Sequence, residues 1–186
     1  QMCIRDSAKI YPPTLTNSDL ANIKIAKEMG VTGVMQPFVR DHSDLECVKE
    51  ALREAGAEDI RLFAKIENMD GIRKLEKLLP AADEIVIARG DLGNAVHLWD
   101  LPGVQRQISE KCRAAGKPFM VVTQMLASME RSPVPTRAEV NDIFHAVMDG
   151  AASIMVTGET AVGDYPVEVI RYMVNTVRSA EKEENR

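Results

Sequence analysis

Residues 84–91 read EIVIARGD, a short apolar run that ends in an arginine, a glycine and an aspartate. A run of this length and composition is typical of a buried strand in a parallel sheet that helices cover. Polar residues directly after such a strand stand at its carboxyl end, where parallel βα proteins bind their ligands. The stretch therefore predicts a strand over residues 84–88, followed by candidate ligand-binding residues.

The same pattern recurs to both sides of this stretch, with helical segments between the repeats. The predicted strands are residues 31–39, 61–66, 84–88, 119–123 and 153–156. The predicted helices are residues 16–30, 43–56, 71–79, 101–115, 136–150 and 165–184. Strands that alternate with helices predict an α/β fold with a parallel sheet. The spacing alone does not separate a (β/α)8 barrel from a doubly wound sheet.

Capping residues set several of these boundaries. The predicted N-terminal capping pairs are Thr16 with Asp19, Ser43 with Glu46, and Thr136 with Glu139. A hydroxyl followed three residues later by a carboxylate is the pattern of a capping box, in which each side chain accepts the other residue's N–H. Gly30, Gly56 and Gly116 stand where the preceding helices are expected to end.

The composition fits a globular protein and disfavours several classes. Hydrophobic residues make up 45% of the chain but aromatic residues only 4%, so the core must be mainly aliphatic. A net charge of −5 does not suggest a nucleic-acid partner. Apolar runs such as residues 119–123 are far too short to cross a bilayer, so no membrane partner is expected.

The cysteines suggest a reducing compartment. Cys3, Cys47 and Cys112 are scattered and odd in number. They match neither a disulfide framework nor the spacing of a metal site. A cytoplasmic location is therefore expected.

Polar residues stand at the carboxyl ends of four predicted strands. They are Lys65 and Glu67; Arg89, Gly90 and Asp91; Thr123 and Gln124; and Thr157, Gly158, Glu159 and Thr160. Each group alone has a simpler interpretation: a surface ion pair, a turn over residues 90–93 or an ordinary strand end. Their joint placement at successive strand ends favours a binding site.

A lysine and two carboxylates at the carboxyl ends of the predicted strands indicate which ligand could bind there. Lys65 and Glu67 are two residues apart in a strand, so their side chains point to the same face, which suits a phosphate with a divalent metal. Asp91 adds a second hard oxygen ligand on a glycine-flanked segment. Two carboxylates, with water and substrate oxygens at the other positions, are how proteins usually hold Mg²⁺.

Five motifs resemble those of the pyruvate kinase family. They are AKIEN with DG at residues 64–71, ARGDLG at 88–93, TQML at 123–126, PTRAE at 135–139, and GETA with GDYP at 158–166. They come in the family's order and at its spacing, from about residue 15 to residue 181. The resemblance implies a partial (β/α)8 TIM barrel, comprising about the last five βα units, with parallel strands and outer helices.

The resemblance also implies a role for each site residue. Lys65 would neutralise the transferring phosphoryl group. Glu67 and Asp91 would hold Mg²⁺ or Mn²⁺. Asp91 would also contact the substrate that the metal binds. Thr123 would contact the substrate and help deliver a proton to the enolate carbon. Lys65 and Thr123 are thus the expected catalytic residues.

The substrate's carboxylate would meet the backbone around Arg89 and Gly90. Thr157 stands where the family usually has serine, a change that keeps the hydroxyl. Arg89, Gly90 and Thr157 are therefore expected substrate-binding residues, together with Lys65 and Asp91.

The family's activity, transfer of the phosphoryl group of phosphoenolpyruvate to ADP to give pyruvate and ATP in glycolysis, is the expected function. A complete barrel needs roughly 250 residues, and the chain has 186. We expect residues 1–7 to be a non-native leader and residues 8–186 to be part of the barrel, with the lid and C-terminal domains absent and the piece inactive alone. Potassium ligands are expected outside the chain, and the longer protein is expected to be a homo-oligomer, a tetramer.

Two departures keep alternatives open. Gln36 and Pro37 replace an Ala-Ser pair of the family, which removes a hydroxyl near the site, and residues 94–99 differ from the family's usual continuation. A loop histidine with a structural role is the more economical interpretation of His97. The alternatives to pyruvate kinase are a diverged, non-catalytic relative and a Mg-dependent lyase of the phosphoenolpyruvate/pyruvate barrel group. The lysine position and the motifs after the last two strands argue against the lyase.

Overall fold

Five short strands form one parallel sheet in the computed structural model, which describes residues 12–184. The strands are β1 (Gly33–Gln36), β2 (Arg61–Ile66), β3 (Glu84–Ala88), β4 (Phe119–Val122) and β5 (Ser153–Met155). Each pairs with the strand before it, in the order β1-β2-β3-β4-β5. A doubly wound sheet reverses its order at a switch point. Because this sheet does not, it has the order of part of a (β/α)8 barrel.

Helices precede the sheet and follow every strand. They are α1 (Asn17–Ala26), α2 (His42–Glu54), α3 (Met69–Arg73), α4 (Leu75–Leu78), α5 (Arg89–Ala95), α6 (Leu101–Ala114), α7 (Arg137–Met148), α8 (Gly158–Ala161) and α9 (Pro166–Glu184), with a 3₁₀ turn at Ala127–Glu130. The capping boxes at Thr16 and Thr136 are confirmed. In the part of the chain that the structure describes, no helix is long and apolar enough to cross a membrane.

Several predicted elements differ from the structure. The predicted helix over residues 16–30 ends at Ala26. The capping box at Ser43 is wrong, because Asp41 caps α2 and accepts the Ser43 N–H at 3.0 Å. The predicted helix over 71–79 is divided at Lys74 into α3 and α4. The predicted strand over 31–39 ends at Gln36, because Pro37 has no N–H to donate and Phe38 adopts a φ of 50°.

The two faces of the sheet are both apolar. One face packs against the helices as part of the main core, and it comprises Leu62 and Ala64 on β2, Ile85 and Ile87 on β3, and Phe119 and Val121 on β4. Val86, Ala88 and Val122 form a second cluster on the opposite, inner face. Lys65 pairs in register with Val86 and lies two residues after Phe63, which packs against the inner cluster, so Lys65 lies at the carboxyl end of the inner face.

Two of the three cysteines lie in the part of the chain that the structure describes. Cys47 and Cys112 are free thiols, and burial raises the pKa of the Cys112 thiol to about 12, which makes it unreactive. Cys3 and the predicted leader at residues 1–7 lie outside the described residues.

Candidate active site

A lysine and a glutamate meet at the carboxyl end of β2. The Lys65 Nζ lies 2.8 Å from Glu67 Oε1. The Glu67 side chain is 1% exposed and that of Lys65 is 25% exposed. The pairing confirms that the two side chains share a face. Since an ammonium group has three donors, Lys65 keeps hydrogen atoms for a second partner.

The other oxygen of Glu67 is held by the segment after β1. The Phe38 N–H donates to Glu67 Oε2 at 2.7 Å. Phe38 has a φ of 50°, in the left-handed region that non-glycine residues seldom occupy. The strained backbone therefore aims an N–H at a buried carboxylate. Next to it, Asn68 caps α3 and donates from Nδ2 to the Val39 carbonyl at 3.1 Å, which ties β2 to the same segment.

Gly90 and Asp91 lie in the first turn of α5, not in the predicted turn over residues 90–93. The first N–H groups of a helix have no intrahelical acceptor, so those of this turn can donate to other groups near the end of β3. A Cβ on Gly90 would lie 2.9 Å from Thr123 Cγ2. The glycine is thus explained by close approach to Thr123 and not by turn geometry. Asp91 is exposed.

The Arg89 side chain is engaged by other protein groups. It donates from Nε and Nη2 to the Thr123 carbonyl oxygen, at 3.2 and 2.6 Å. Its Nη1 donates to both carboxylate oxygens of Asp142 on α7, at 2.8 and 2.6 Å. This arrangement leaves the substrate interaction expected of Arg89 to its backbone, as the sequence interpretation has it.

A buried carboxylate joins the segments after β4 and β5. Glu159 is 2% exposed. Its Oε1 accepts the Leu126 N–H at 3.2 Å, and its Oε2 accepts the Thr157 N–H at 2.7 Å. Thr157 is therefore fixed relative to the segment that carries Thr123. Glu139 fixes the same segment from α7, because it accepts the N–H and hydroxyl of Ser128 at 2.7 and 2.5 Å.

The sequence profile for "Pyruvate kinase, barrel domain" matches residues 5–170. The chain belongs to the pyruvate kinase barrel-domain family. It is 42% identical over 170 residues to a pyruvate kinase of Bacillus licheniformis, covering 91% of this chain and 29% of that protein. It is 37% identical over 179 residues to one of Clostridium acetobutylicum, covering 96% and 38%. It is 41% identical over 169 residues to one of Dictyostelium discoideum, covering 91% and 33%.

The chain spans about a third of the length of these pyruvate kinases. The family match confirms the resemblance and the barrel interpretation of the sheet. The match includes all four strand ends that carry predicted site residues, those of β2, β3, β4 and β5. The structure brings Lys65 and Glu67 into contact, and it packs Gly90 against Thr123.

Some residues that shape the site were not predicted as part of it. Phe38 and Asp142 contact partners far along the chain, 29 and 53 residues away. Glu159 belongs to the predicted strand-end group at residues 157–160, although no role was assigned to it. For Phe38 there was no signal in the sequence, since its backbone and not its side chain makes the contact.

Two carboxylates, those of Glu67 and Asp91, are expected to bind a divalent cation. Within residues 12–184, no group of three or more His, Cys, Asp or Glu side chains could hold a metal. Glu67 and Asp91, the two expected metal ligands, follow the adjacent strands β2 and β3. Hard oxygen donors in small number suit Mg²⁺, which keeps several waters and binds substrate phosphates.

Proposed function

We propose that the chain supplies the phosphoenolpyruvate and metal site of a pyruvate kinase, which transfers the phosphoryl group to ADP and releases pyruvate. The observation that carries the proposal is the Lys65–Glu67 pair on the inner face, beside the Gly90–Thr123 contact. A cation, a carboxylate and helix N–H groups at neighbouring strand ends suit a ligand that carries both a phosphate and a carboxylate.

Lys65 acts on the transferring group. Phosphoryl transfer passes through a loose transition state whose negative charge lies on the equatorial oxygens. The ammonium group is fixed by Glu67 and partly exposed, so it can donate to one of these oxygens. The interaction between the Lys65 ammonium group and these oxygens grows stronger as their charge develops. Lys65 should therefore act more on kcat than on substrate affinity.

Glu67 and Asp91 are the residues that would hold Mg²⁺ or Mn²⁺. When bound, the cation would neutralise part of the charge of the substrate's phosphate and carboxylate. The backbone of Arg89 and Gly90 would bind the carboxylate, and Thr157 would add a hydroxyl at the rim.

Thr123 serves the second half of the reaction. Cleavage of the P–O bond of phosphoenolpyruvate forms a new P–O bond to ADP and leaves the enolate of pyruvate. The enolate carbon then takes up one proton, which the Thr123 hydroxyl would help to deliver. The finer properties inferred from the family are also part of the proposal: potassium ligands elsewhere in the protein, a homotetramer and a cytoplasmic location.

The test uses a chimera in which the chain's 170 matching residues replace the corresponding segment of the Bacillus licheniformis enzyme. Pyruvate formation from phosphoenolpyruvate and ADP is measured across a Mg²⁺ titration. Glu67→Ala and Asp91→Ala should each raise the Mg²⁺ concentration needed for half-maximal rate by more than roughly tenfold, as expected when a metal ligand or its support is lost.

Glu76→Ala is the matched control, because Glu76 is a carboxylate whose side chain is 75% exposed and pairs with Lys111. An inactive but folded parent chimera would favour the diverged, non-catalytic alternative. A metal requirement unchanged in both Glu67→Ala and Asp91→Ala would contradict the metal assignment alone.

A further inference from the structure

The segment after β4 holds two residues in a backbone conformation that they seldom adopt. Thr123 has a φ of 84° and Gln124 a φ of 55°. For a β-branched residue such as threonine this region is strongly disfavoured. Such strain persists only where the surrounding structure fixes the backbone, and it is concentrated at functional sites. The group that fixes Thr123 is therefore of interest.

Arg89 is that group. Two of its N–H donors converge on the Thr123 carbonyl oxygen, at 3.2 and 2.6 Å. The Arg89 side chain is only 13% exposed, and Asp142 fixes its far end through both carboxylate oxygens. A planar guanidinium held at both ends has little freedom. It thus ties the backbone of the β4 segment to helix α7.

The Thr123 side chain is confined from the other direction. Its Cγ2 packs closely against the backbone of Gly90, only 2.9 Å from the point that a Cβ on that residue would occupy. Rotation of the Thr123 side chain about its Cα–Cβ bond must avoid this backbone. The carbonyl contact and the Gly90 contact together determine where the hydroxyl points.

We infer that Arg89, held by Asp142, is a positioning residue that sets the direction of the Thr123 hydroxyl. The inference rests on the proposed function, in which that hydroxyl helps to protonate the enolate. Arg89 then acts through its side chain on Thr123, in addition to any contact that its backbone makes with the substrate. Loss of the side-chain contacts should lower kcat and leave the KM for phosphoenolpyruvate nearly unchanged.

The first measurement is structural and uses the full 186-residue chain. The φ of Thr123 is determined by crystallography or from NMR coupling constants for the parent, Arg89→Lys and Asp142→Asn. Arg89→Lys keeps the charge but loses the planar fork, and Asp142→Asn keeps the size but weakens the hold on Arg89. We expect Thr123 to leave the left-handed region in Arg89→Lys. Asp142→Asn keeps the inference testable should Arg89→Lys not fold.

Arg131→Lys is the matched control. Arg131 also donates to both oxygens of an aspartate, Asp164, at 3.1 Å, but its side chain is 74% exposed. None of the contacts described for it involves Thr123. This variant should keep the parent φ at Thr123.

The second measurement is a double-mutant cycle in the chimera described above. A displaced catalytic group can cost roughly 10²-fold in rate, so Arg89→Lys should lower kcat by about that factor. In a Thr123→Ala background the same change should cause little further loss, because the group that Arg89 positions is already gone.

The outcomes separate the two proposals. No turnover by the parent chimera would overturn the proposed function. In that case the φ measurement alone would decide whether Arg89 fixes the backbone of Thr123. A raised KM with unchanged kcat, or losses that add in the double variant, would overturn the positioning role and make Arg89 a direct substrate ligand. A left-handed Thr123 in both folded variants would overturn it as well.

Discussion

Removing the negative charge of Asp44 should destabilise the protein at neutral pH and much less in acid. Asp44 is 3% exposed and lies on α2. Its carboxylate accepts hydrogen bonds from the Arg40 N–H, Nε and Nη2, at 2.8, 3.1 and 2.6 Å, and from the Thr14 hydroxyl at 2.6 Å. These contacts fix residues 38–40, the segment whose Phe38 N–H holds Glu67.

The magnitude follows from the proton affinity of Asp44. Burial raises its pKa, but hydrogen bonds from Arg40 and Thr14 outweigh burial and lower the pKa from 3.8 to about 2. At about 1.4 kcal/mol for each tenfold change in proton affinity, this difference is worth roughly 2 kcal/mol. Because the folded-state pKa is the lower one, the stabilisation is complete above about pH 4 and is lost as the pH falls through about 2.

The assay compares urea unfolding of the parent and Asp44→Asn between about pH 7 and pH 2.5. Far-UV circular dichroism is the suitable probe, because the one tryptophan of the sequence, Trp99, is 78% exposed and its fluorescence would report unfolding poorly. The variant should lose roughly 2 kcal/mol at pH 7, and the difference from the parent should shrink steadily below about pH 4.

Asp59→Asn is the matched control, since Asp59 pairs with Lys27 at the surface, with side chains 68% and 58% exposed. It should change little at any pH. A difference between parent and Asp44→Asn that stays constant from about pH 5 to pH 2.5 would refute the reasoning, because the loss would then come from packing and not from charge.

Three further changes test the site. In the chimera, Lys65→Met should lower kcat by at least roughly 10²-fold, with a modest effect on phosphoenolpyruvate affinity. In the chain alone, it should lower the free energy of unfolding by roughly 3 kcal/mol because Glu67 loses its partner. Lys65→Met with Glu67→Gln should restore stability but not activity, and stability that stays low would contradict this. Gly90→Ala should lower kcat by displacing Thr123, whereas Gly93→Ala, whose Cβ would lie 3.7 Å from its nearest neighbour, should not; equal rates in the two variants would count against the contact. Glu159→Gln should cost about 1–3 kcal/mol in urea unfolding, since an amide donor would face a backbone N–H, and an unchanged midpoint would rule this out.

The fold could be predicted where the deciding signals are local. The capping boxes at Thr16 and Thr136 need only residues three positions apart, and both are confirmed. The start of α2 could not be predicted in this way, because Asp41 and Ser43 are both good capping residues. Asp41 Oδ2 also accepts a hydrogen bond from Lys74 at 3.3 Å, a contact 33 residues away that favours its position at the helix end. The strand order likewise became known only from the pairing in the structure.

The positions of the candidate site residues could be predicted from the sequence, but the contacts that hold them could not. Lys65, Glu67 and Asp91 stand at or directly after the ends of apolar strands, where the sequence itself marks a ligand edge. The left-handed backbone at Phe38 and Thr123 has no sequence signal, because neither residue type favours it. Long-range contacts hold it in place, and no pattern within one segment shows them.

Glu67 has a buried charge that must be balanced both without and with a ligand. Without a ligand, the Phe38 N–H and the Lys65 ammonium satisfy one oxygen each. A buried carboxylate with no such partners would be costly to keep ionised. In the proposed reaction a cation would share this charge, and Lys65 would then be available to the phosphoryl oxygens. In this proposal the same lysine would stabilise the fold before binding and the transition state afterwards, and the double change at positions 65 and 67 would separate the two roles.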